Sequence, residues 1–383
     1  MTRFLFACDS FKGTLSSAQS AQLLTEEMRS VFPDATSASI EVADGGEGTV
    51  SAVVAATGGE LVFSTVADPL GRPVEAGYGL LPGGRAIIEM AAASGLPLLA
   101  PEERNPLLTS TYGTGELILD ALDRGATDIS LAIGGSATND CGMGALRALG
   151  VRFLDARGSE LDGAGADLGR VEKIDLSGMD SRVGKTSFHV MCDVDNPLVG
   201  PRGATYTFGP QKGADPETAD ELEAGMVRLA GVLERTFGVS VADAPGMGAA
   251  GGLGAAARLF LKAEVVAGVE WVLDLVGFTE ALAGADVCVT GEGHADGQSA
   301  HGKVVSGVAA RCQAAGVPCV AIVGGMNADA CELLDCGVDA LVPTVIDAAA
   351  IEEVLACAER NFRLAAQRVF ALIKLGCGLG DGK

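Results

Sequence analysis

Lysine, histidine and aromatic residues are scarce in this sequence of 383 residues. Phe, Tyr and Trp together make up 4% of the chain, so aliphatic side chains are expected to fill most of the interior. Only eight lysines are present and the formal net charge is −23, which repels nucleic acids and anionic lipid surfaces. We therefore predict that neither a nucleic acid nor a membrane is a partner.

The signatures of several other protein classes are also missing. The ten cysteines form no CxxC pair, which argues against a disulfide framework or a metal site and favours reduced thiols in a cytoplasmic protein. No apolar run approaches the ~20 residues of a membrane span, and the first residues do not resemble a signal peptide. The P-loop pattern GxxxxGKS/T and the HRD and DFG motifs of protein kinases do not occur.

The length of the chain and the pattern at its two ends predict two domains. Strands are predicted in the terminal blocks at residues 3–7, 37–43, 285–290, 317–323 and 338–345. Helices are predicted there at residues 18–32, 304–315 and 351–374. Neither block alone has enough strands for a sheet of the usual size. We therefore predict an α/β protein in which both chain ends share one parallel sheet and the middle is inserted as a second domain.

The middle of the chain is less regular. Strands are predicted at residues 86–90, 129–133 and 188–192, and helices at 115–122 and 215–237. Another helix is predicted to open at the segment 134–140 and to run to Leu149. A GxGxxG match at 246–251 follows Pro245 rather than a strand, which disfavours a dehydrogenase-type nucleotide site. Close helix packing or a flexible turn is the alternative explanation of that match.

Glycine-bearing segments place polar side chains at strand ends and helix starts, where open α/β sheets bind ligands. In the segment 9–14, Lys12 is a candidate phosphate contact, and a solvated turn lysine is the alternative. The segment 44–48 carries Asp44 and Glu47 among glycines. It suits Mg²⁺ or a substrate hydroxyl as well as it suits an ordinary acidic turn.

Three further regions have the same character. In 134–140 the amides of Gly135 and Ser136 are suited to an anion, with simple N-capping by Thr138 or Asn139 as the alternative. The segments 192–197 and 208–213 are either tight turns or rigid substrate clamps. The segment 290–303 combines a glycine-spaced acidic loop with a lysine at a helix start, which suits Mg²⁺ and phosphate.

At these segments the sequence resembles the bacterial glycerate kinase family, whose members mostly produce 2-phosphoglycerate. The resemblance rests on motifs such as DSFKG, ADGGEGT, IEMAAASGLPLL, GGSATND and FGPQKGA and covers nearly the whole chain. The matching segments are residues 9–16, 43–49, 88–99, 104–118, 134–140, 192–204, 208–214, 248–255 and 290–303. The sequence departs from the family pattern at Cys8, Cys141 and His294, where a proline, a glycine and an arginine are usual. The change at His294 lowers the local positive charge.

The resemblance implies a flavodoxin/Rossmann-like parallel-sheet domain made of residues 1–67 and 286–383, with residues 68–285 as an inserted α/β domain. The active site is then expected between the two domains. The implied activity is ATP- and Mg²⁺-dependent phosphorylation of (R)-glycerate in the cytoplasm, and a homodimer is left open. The alternatives are a 3-phosphate product, a kinase for another small hydroxy acid, and a non-catalytic acid-binding protein.

The motif positions suggest a direct in-line transfer. In this hypothesis Asp44 or Asp193 orients and partly deprotonates the glycerate hydroxyl. Lys12 is grouped with these catalytic residues, and it offsets negative charge together with Lys212 and Lys303. Glu292 and Asp296 hold Mg²⁺ directly or through water, with Asp9 or Glu47 as an optional further ligand. The residues predicted to contact glycerate or the nucleotide are Asp9, Ser10, Gly45, Gly46, Glu47, Gly135, Ser136, Thr138, Asn139, Asp140, Asn196, Gln211, Lys212 and Lys303.

Overall fold

The computed structural model describes residues 1–11, 13–46, 48–300, 302–347 and 350–380. In these residues the strands are β1 (Arg3–Cys8), β2 (Thr36–Ser39), β3 (Glu60–Ala67), β4 (Pro73–Leu81), β5 (Arg85–Glu89), β6 (Asp128–Ala132), β7 (Arg152–Leu154), β8 (Lys173–Asp175), β9 (Ser187–Met191), β10 (Glu264–Val266), β11 (Val287–Ala295), β12 (Cys319–Met326) and β13 (Ala340–Pro343). The α-helices are α1 (Ser17–Val31), α2 (Thr49–Thr57), α3 (Ala91–Ser94), α4 (Tyr112–Asp123), α5 (Met143–Ala148), α6 (Ala204–Phe208), α7 (Pro216–Phe237), α8 (Ala249–Phe260), α9 (Gly268–Leu275), α10 (Phe278–Leu282), α11 (Val304–Ala315), α12 (Ile351–Ala356) and α13 (Ala358–Gly380).

The chain divides into two compact units. The first unit consists of Met1–Asp44 and Gly268–Lys383, and the second unit of Gly45–Ala267. The first unit contains a five-stranded parallel sheet in the order β13-β12-β11-β1-β2. Within it β1 pairs with β11 in the register Phe4↔Val287. The prediction that both chain ends share one parallel sheet is therefore confirmed.

Helix α1 shows how local sequence shapes the first unit. It begins at a capping box in which Ser16 Oγ accepts from the Gln19 amide at 3.1 Å and Gln19 Oε1 accepts from the Ser16 amide at 2.8 Å. Its apolar residues recur at helical spacing, and Leu24 and Met28 belong to the buried core of this unit.

The few aromatic residues are concentrated in that same core. Phe4, Phe6, Phe362 and Phe370 are all buried. The rings of Phe4 and Phe370 meet edge to face with their centroids 5.4 Å apart, a favourable aromatic geometry. Aliphatic side chains such as Leu24, Val289 and Ile322 still make up most of this core, as expected from the composition.

The second unit is built on a mixed six-stranded sheet in the order β10-β9-β6-β5-β4-β3. The strands from β5 to β10 are parallel, whereas β3, β4 and β5 pair in antiparallel fashion. The strands predicted near 86–90, 129–133 and 188–192 are present as β5, β6 and β9. Strands β3 and β4 were not predicted.

Two helix predictions need correction. The closing helix is interrupted, because α12 ends before Cys357 and α13 begins after it. The helix expected to open at 134–140 begins only at Met143. The Asp140 carboxylate accepts from the amides of Gly142 and Gly144, at 3.0 and 3.2 Å, and holds this segment in a turn. Cys141 and Gly142 accordingly have φ values of 50° and 68°, outside the helical region.

The boundaries of the two units differ from the domain limits expected at 67/68 and 285/286. Strand β3 pairs along its length with β4 and so belongs to the sheet of the second unit. Helix α9 is bound to the first unit by Arg311, whose guanidinium donates to Glu270 at 2.6 Å. Cross-strand pairing and this ion pair explain where the compact units divide, and the domain limits stay a prediction. The two-domain arrangement itself stays a prediction.

The ten cysteines are free thiols. Cys8, Cys288 and Cys319 are buried within strands, as expected of small apolar side chains. Burial raises the pKa of the Cys8 thiol to about 12, so that it stays protonated. Within the described ranges, no helix is long and apolar enough to cross a bilayer.

Candidate active site

The first unit has a cavity of about 460 Å³ at the carboxyl ends of its parallel strands. Asp9 follows β1, Glu292 lies in the last half of β11, and Thr344 follows β13. Open parallel sheets bind ligands at this edge, and the volume suits a small molecule. Six of the predicted site residues line the cavity: Asp9, Ser10, Asp44, Glu292, Asp296 and Lys303.

Glu292 is the buried carboxylate of this cavity. Its side chain is 6% exposed, and its Oε1 atom has no hydrogen-bond partner. Burial raises the pKa of Glu292, and the charges of Asp296 and Asp44 raise it further, against a hydrogen bond from Ser299 and the charge of Lys303. A buried carboxylate oxygen that lacks a donor is a position where a bound cation would supply the missing partner.

Asp296 and Lys303 form the adjoining part of the cavity. Asp296 Oδ1 accepts from the amides of Gln298 and Ser299 at 3.0 and 3.2 Å, which fixes the carboxylate. Lys303 Nζ lies 3.8 Å from Asp296 Oδ1. Lys303 also immediately precedes α11, so its charge is close to the amides of a helix N-terminus. A cation beside free helical amides is favourable for a phosphate group.

The carboxylates of this cavity fit a Mg²⁺ ion. Proteins usually hold Mg²⁺ with one or two carboxylates, while water and substrate phosphates fill the other positions. Glu292 offers an unpartnered buried oxygen, and Asp296 is close enough to influence its pKa. In the part of the chain that the structure describes, no group of three or more His, Cys, Asp or Glu side chains is arranged to hold a metal by itself. The ion would therefore depend on phosphate oxygens.

His294 lines the cavity at the position where the family resemblance leads one to expect an arginine. The residue is exposed, and it lies opposite Gly325 in the β11–β12 register. A Cβ placed on Gly325 would lie 3.3 Å from His294 Nδ1, so the imidazole packs over the backbone of the neighbouring strand. The side chain is thus at the cavity surface.

The cavity also has an apolar wall, which the sequence did not reveal. The wall consists of Phe11, Val345, Ile351, Val354, Leu355 and Phe362. Its one sequence signal is the i, i+3, i+4 spacing of Ile351, Val354 and Leu355, which is usually taken as a core-facing helix stripe. The same cavity therefore combines a polar and an apolar surface.

A second cluster of predicted residues lies in the second unit, around Lys212. This lysine is 1% exposed, and its Nζ donates to Ser136 Oγ at 2.8 Å and to the Thr138 carbonyl at 2.7 Å. Burial lowers the pKa of Lys212 to about 7, and the charge of Asp140 opposes that shift. The lysine therefore ties the segment 208–213 to the segment 134–140.

Asp140 lies in the same segment and fixes it by hydrogen bonds. Its Oδ2 atom accepts from both the amide and the hydroxyl of Thr111 at 2.8 Å. Burial raises its pKa, and these hydrogen bonds act in the opposite direction. Thr111 is a site residue that sequence reasoning missed, and the only signal was its place inside the matching segment 104–118.

Two polar atoms near Lys212 lack partners. Asn139 Nδ2 donates to Thr205 Oγ1 at 3.2 Å, but Asn139 Oδ1 is buried without a donor. Thr138 Oγ1 is likewise buried and unpartnered. The segment also approaches Gly46 of the same unit, because a Cβ on Gly134 would lie 3.8 Å from the Cα of Gly46.

The remaining predicted residues have varied surroundings. Asp193 is exposed on a loop of the second unit, and Gln211 is exposed on a short 3₁₀ helix, Pro210–Lys212. Asn196 Nδ2 donates to the Arg202 carbonyl at 2.8 Å and to Thr207 Oγ1 at 3.3 Å, which closes the loop that it begins. Gly45 and Gly135 have φ values of 87° and 74°, which only glycine adopts readily. Lys12 and Glu47 lie outside the described residues.

Known proteins that are similar to this chain in sequence and in structure include glycerate kinases. A sequence profile described as the glycerate kinase family matches residues 4–374. The chain is similar to a glycerate kinase of Bacillus subtilis (strain 168), with 44% identity over 374 residues that cover 97% of this chain and 98% of the relative. It is 43% identical to the glycerate 2-kinase of Escherichia coli (strain K12) over 375 residues, 98% of each chain.

A crystal structure described as glycerate kinase 2 from Salmonella typhimurium LT2 has the same fold. It matches with a TM-score of 0.90 at 42% identity and covers 98% of this chain and 99% of that one. The mixed α/β fold with parallel sheets and the sequence relationship along nearly the whole length agree with each other. The chain belongs to the glycerate kinase family.

Proposed function

We propose that this chain transfers the γ-phosphate of MgATP to the 2-hydroxyl of (R)-glycerate, which gives 2-phosphoglycerate and ADP. The proposal rests on the cavity of the first unit, together with membership of the glycerate kinase family. There the buried carboxylate of Glu292, whose Oε1 atom has no partner, lies with Asp296 and Lys303 at the carboxyl edge of a parallel sheet. Phosphoryl transfer requires a metal ion and cations around the phosphates.

The charges around the cavity support a requirement for Mg²⁺. In its described lining, the four carboxylates of Asp9, Asp44, Glu292 and Asp296 accompany one lysine, Lys303. Free ATP would be repelled by such a surface, whereas its magnesium complex carries less negative charge. Glu292 and Asp296 would hold the ion, and bound Mg²⁺ would neutralise charge that develops on the transferred group.

The protein side chains then have separate tasks. We assign Asp44 or Asp193 to orient the glycerate hydroxyl and accept its proton as the oxygen attacks phosphorus. Lys303 and Lys12 offset charge on the phosphates. The enclosure of Lys212 supports a positioning role, because its ammonium is occupied by Ser136 Oγ and the Thr138 carbonyl.

Several broader parts of the proposal rest on family membership and motif positions. These are a flavodoxin-like domain formed by both chain ends, an inserted domain, and one active site between them. A cytoplasmic location and a homodimer belong to the same group of proposals. The location is supported by the ten free thiols.

The direct test combines purified protein, MgATP and D-glycerate and follows the product by ³¹P NMR. A phosphate on the secondary hydroxyl couples to one proton and a phosphate on the primary hydroxyl couples to two, so the multiplet separates 2- from 3-phosphoglycerate. L-Glycerate, lactate and glycolate serve as comparison substrates, and EDTA as the metal control. Transfer to another hydroxy acid in preference to glycerate, or binding of glycerate without any transfer, would overturn the proposal.

A further inference from the structure

The apolar wall of the first-unit cavity exposes more hydrophobic surface than a polar phosphate site needs. Ile351 is 63% exposed and Leu355 is 48% exposed, although both line the cavity. Val345 is also among the exposed large apolar side chains. A contiguous exposed apolar surface inside a cavity is typical of a ligand-binding surface.

Helix α12 carries three of the six residues of this wall. Ile351, Val354 and Leu355 lie at i, i+3 and i+4, so they form one stripe. An amphipathic helix normally buries its stripe in a core, but α12 buries none of its residues. Its stripe lines the cavity instead. Glu352 and Glu353 occupy the first turn beside it.

The base of the wall is aromatic and rigid. Phe11 and Phe362 are buried, and their rings meet at 86° with centroids 5.2 Å apart. Such an edge-to-face pair holds both rings in fixed orientations. A flat ring system can pack against this surface with little loss of side-chain freedom.

The chemistry of the two substrates decides which of them fits the wall. Glycerate carries an oxygen on each of its three carbons and therefore has little apolar surface to bury. ATP combines a flat fused-ring base with a charged triphosphate. The cavity has the same division, because its aliphatic and aromatic wall adjoins the polar group of Glu292, Asp296 and Lys303.

We propose that the wall formed by Phe11, Val345, Ile351, Val354, Leu355 and Phe362 binds the purine ring of ATP. The triphosphate then extends toward Lys303 and the carboxylates. This inference rests on the proposed kinase function and assigns the nucleotide to the first unit. The glycerate site is left to residues outside this wall.

Kinetics of wall variants test the inference. Leu355→Ser and Ile351→Ser are expected to raise the KM for ATP by about 10- to 100-fold, the range for the loss of an apolar contact, and to leave the KM for glycerate unchanged. Magnesium tripolyphosphate, which has the phosphates but no base, should inhibit these variants and the wild type with the same constant. Leu372→Ser is the matched control, because Leu372 is 64% exposed on α13 and does not line the cavity. An unchanged KM for ATP, or an equal loss of tripolyphosphate affinity, would overturn the inference.

Hydrogen exchange separates this inference from the proposed reaction. With MgATP alone, residues 343–347 and 350–356 should become protected, whereas glycerate alone should leave them unprotected. If no hydroxy acid is phosphorylated but MgATP still protects α12, the base site stands and the proposed reaction fails. Protection by glycerate instead, or protection that grows with protein concentration in the absence of nucleotide, would mean that another occupant covers the wall.

Discussion

Lys212 Nζ donates to Ser136 Oγ at 2.8 Å, and both side chains are buried inside the second unit. The same ammonium donates to the carbonyl of Thr138. Two glycine-bearing segments far apart in the sequence are therefore joined by one lysine. A buried amine is costly in its charged form, and the hydrogen bonds to Ser136 and Thr138 offset part of that cost.

Replacement of this lysine should change both stability and its pH dependence. Lys212→Met leaves the Thr138 carbonyl without its donor, which costs about 1–3 kcal/mol of unfolding free energy. The folded-state pKa of about 7 lies below the reference value of 10.5. The unfolded chain therefore binds more protons between these pH values, and this contribution to wild-type stability rises with pH through that window.

Chemical denaturation at several pH values between 6 and 10 measures this effect. The stability difference between wild type and Lys212→Met should grow as the pH rises from about 7, where the folded protein loses the proton. Lys173→Met, at an exposed lysine of the same unit, is the control and should give a constant difference. Parallel pH profiles for Lys212→Met and the wild type would show that the lysine is not buried as described.

Glu292→Gln should stabilise the metal-free protein and impair catalysis. Burial raises the folded-state pKa of Glu292, so the ionised carboxylate disfavours the fold. The stability that the protonated carboxyl contributes is therefore lost as the pH rises through that pKa. A neutral amide removes this penalty. We expect a higher melting temperature at pH 7 in EDTA, and a Mg²⁺ requirement raised by about 10- to 100-fold.

The comparison at two pH values makes this prediction specific. At acidic pH, below the raised pKa of Glu292, the wild-type carboxyl is protonated and the penalty of burying an ionised carboxylate disappears. The melting temperatures of the wild type and of Glu292→Gln should then converge. Glu332→Gln, at an exposed glutamate of the same unit, should change neither property. A lower melting temperature for Glu292→Gln in EDTA at pH 7 would contradict the assignment.

His294→Arg should strengthen ATP binding. The imidazole is exposed at the cavity surface, where a permanent guanidinium charge would attract the triphosphate. We expect the KM for ATP to fall by about 2- to 5-fold, as for an exposed ion pair, and the gain to shrink as salt is added. The KM for glycerate is the internal control. An unchanged KM for ATP at low ionic strength would show that residue 294 does not face the phosphates.

Substitution of the two candidate bases identifies the one that acts. Asp44→Asn and Asp193→Asn are made separately, and the variant that removes the base should lose about 10²- to 10⁴-fold in kcat. Asp195→Asn is a close control for Asp193, since Asp195 is also exposed and pairs with Arg202 at 3.1 Å. Near-normal kcat in both variants would rule out these carboxylates as the base.

Regular elements with a strong local pattern could be predicted from the sequence. Helix α11 spans the predicted residues 304–315, and strands were predicted at 3–7 and 285–290, where β1 and β11 lie. Strand β3 was missed because its apolar residues lie on both faces of the sheet. Val62 is buried, but Leu61 and Phe63 are exposed, so no alternation marks the strand.

Some features of the candidate site could likewise be predicted from the sequence, and others could not. Asp9, Asp44 and Glu292 were predicted because polar residues at the ends of parallel strands meet at one edge of a sheet. The burial of Lys212 could not be predicted, since a lysine in a glycine-bearing turn is usually solvated. Its enclosure depends on contacts with Ser136 and Thr138, which are remote in sequence.

By itself the sequence determined the family, the parallel sheet shared by both chain ends and the acidic and glycine-rich ends of its strands. The strands and their polar ends follow from local rules, because side-chain periodicity and turn chemistry act over a few neighbouring residues. Only the tertiary structure decided that Glu292 has a buried oxygen without a partner and that the α12 stripe lines a cavity rather than a core. The burial of a side chain and its hydrogen-bond partners depend on which distant segments pack together. Neighbouring residues in the sequence do not show which segments those are.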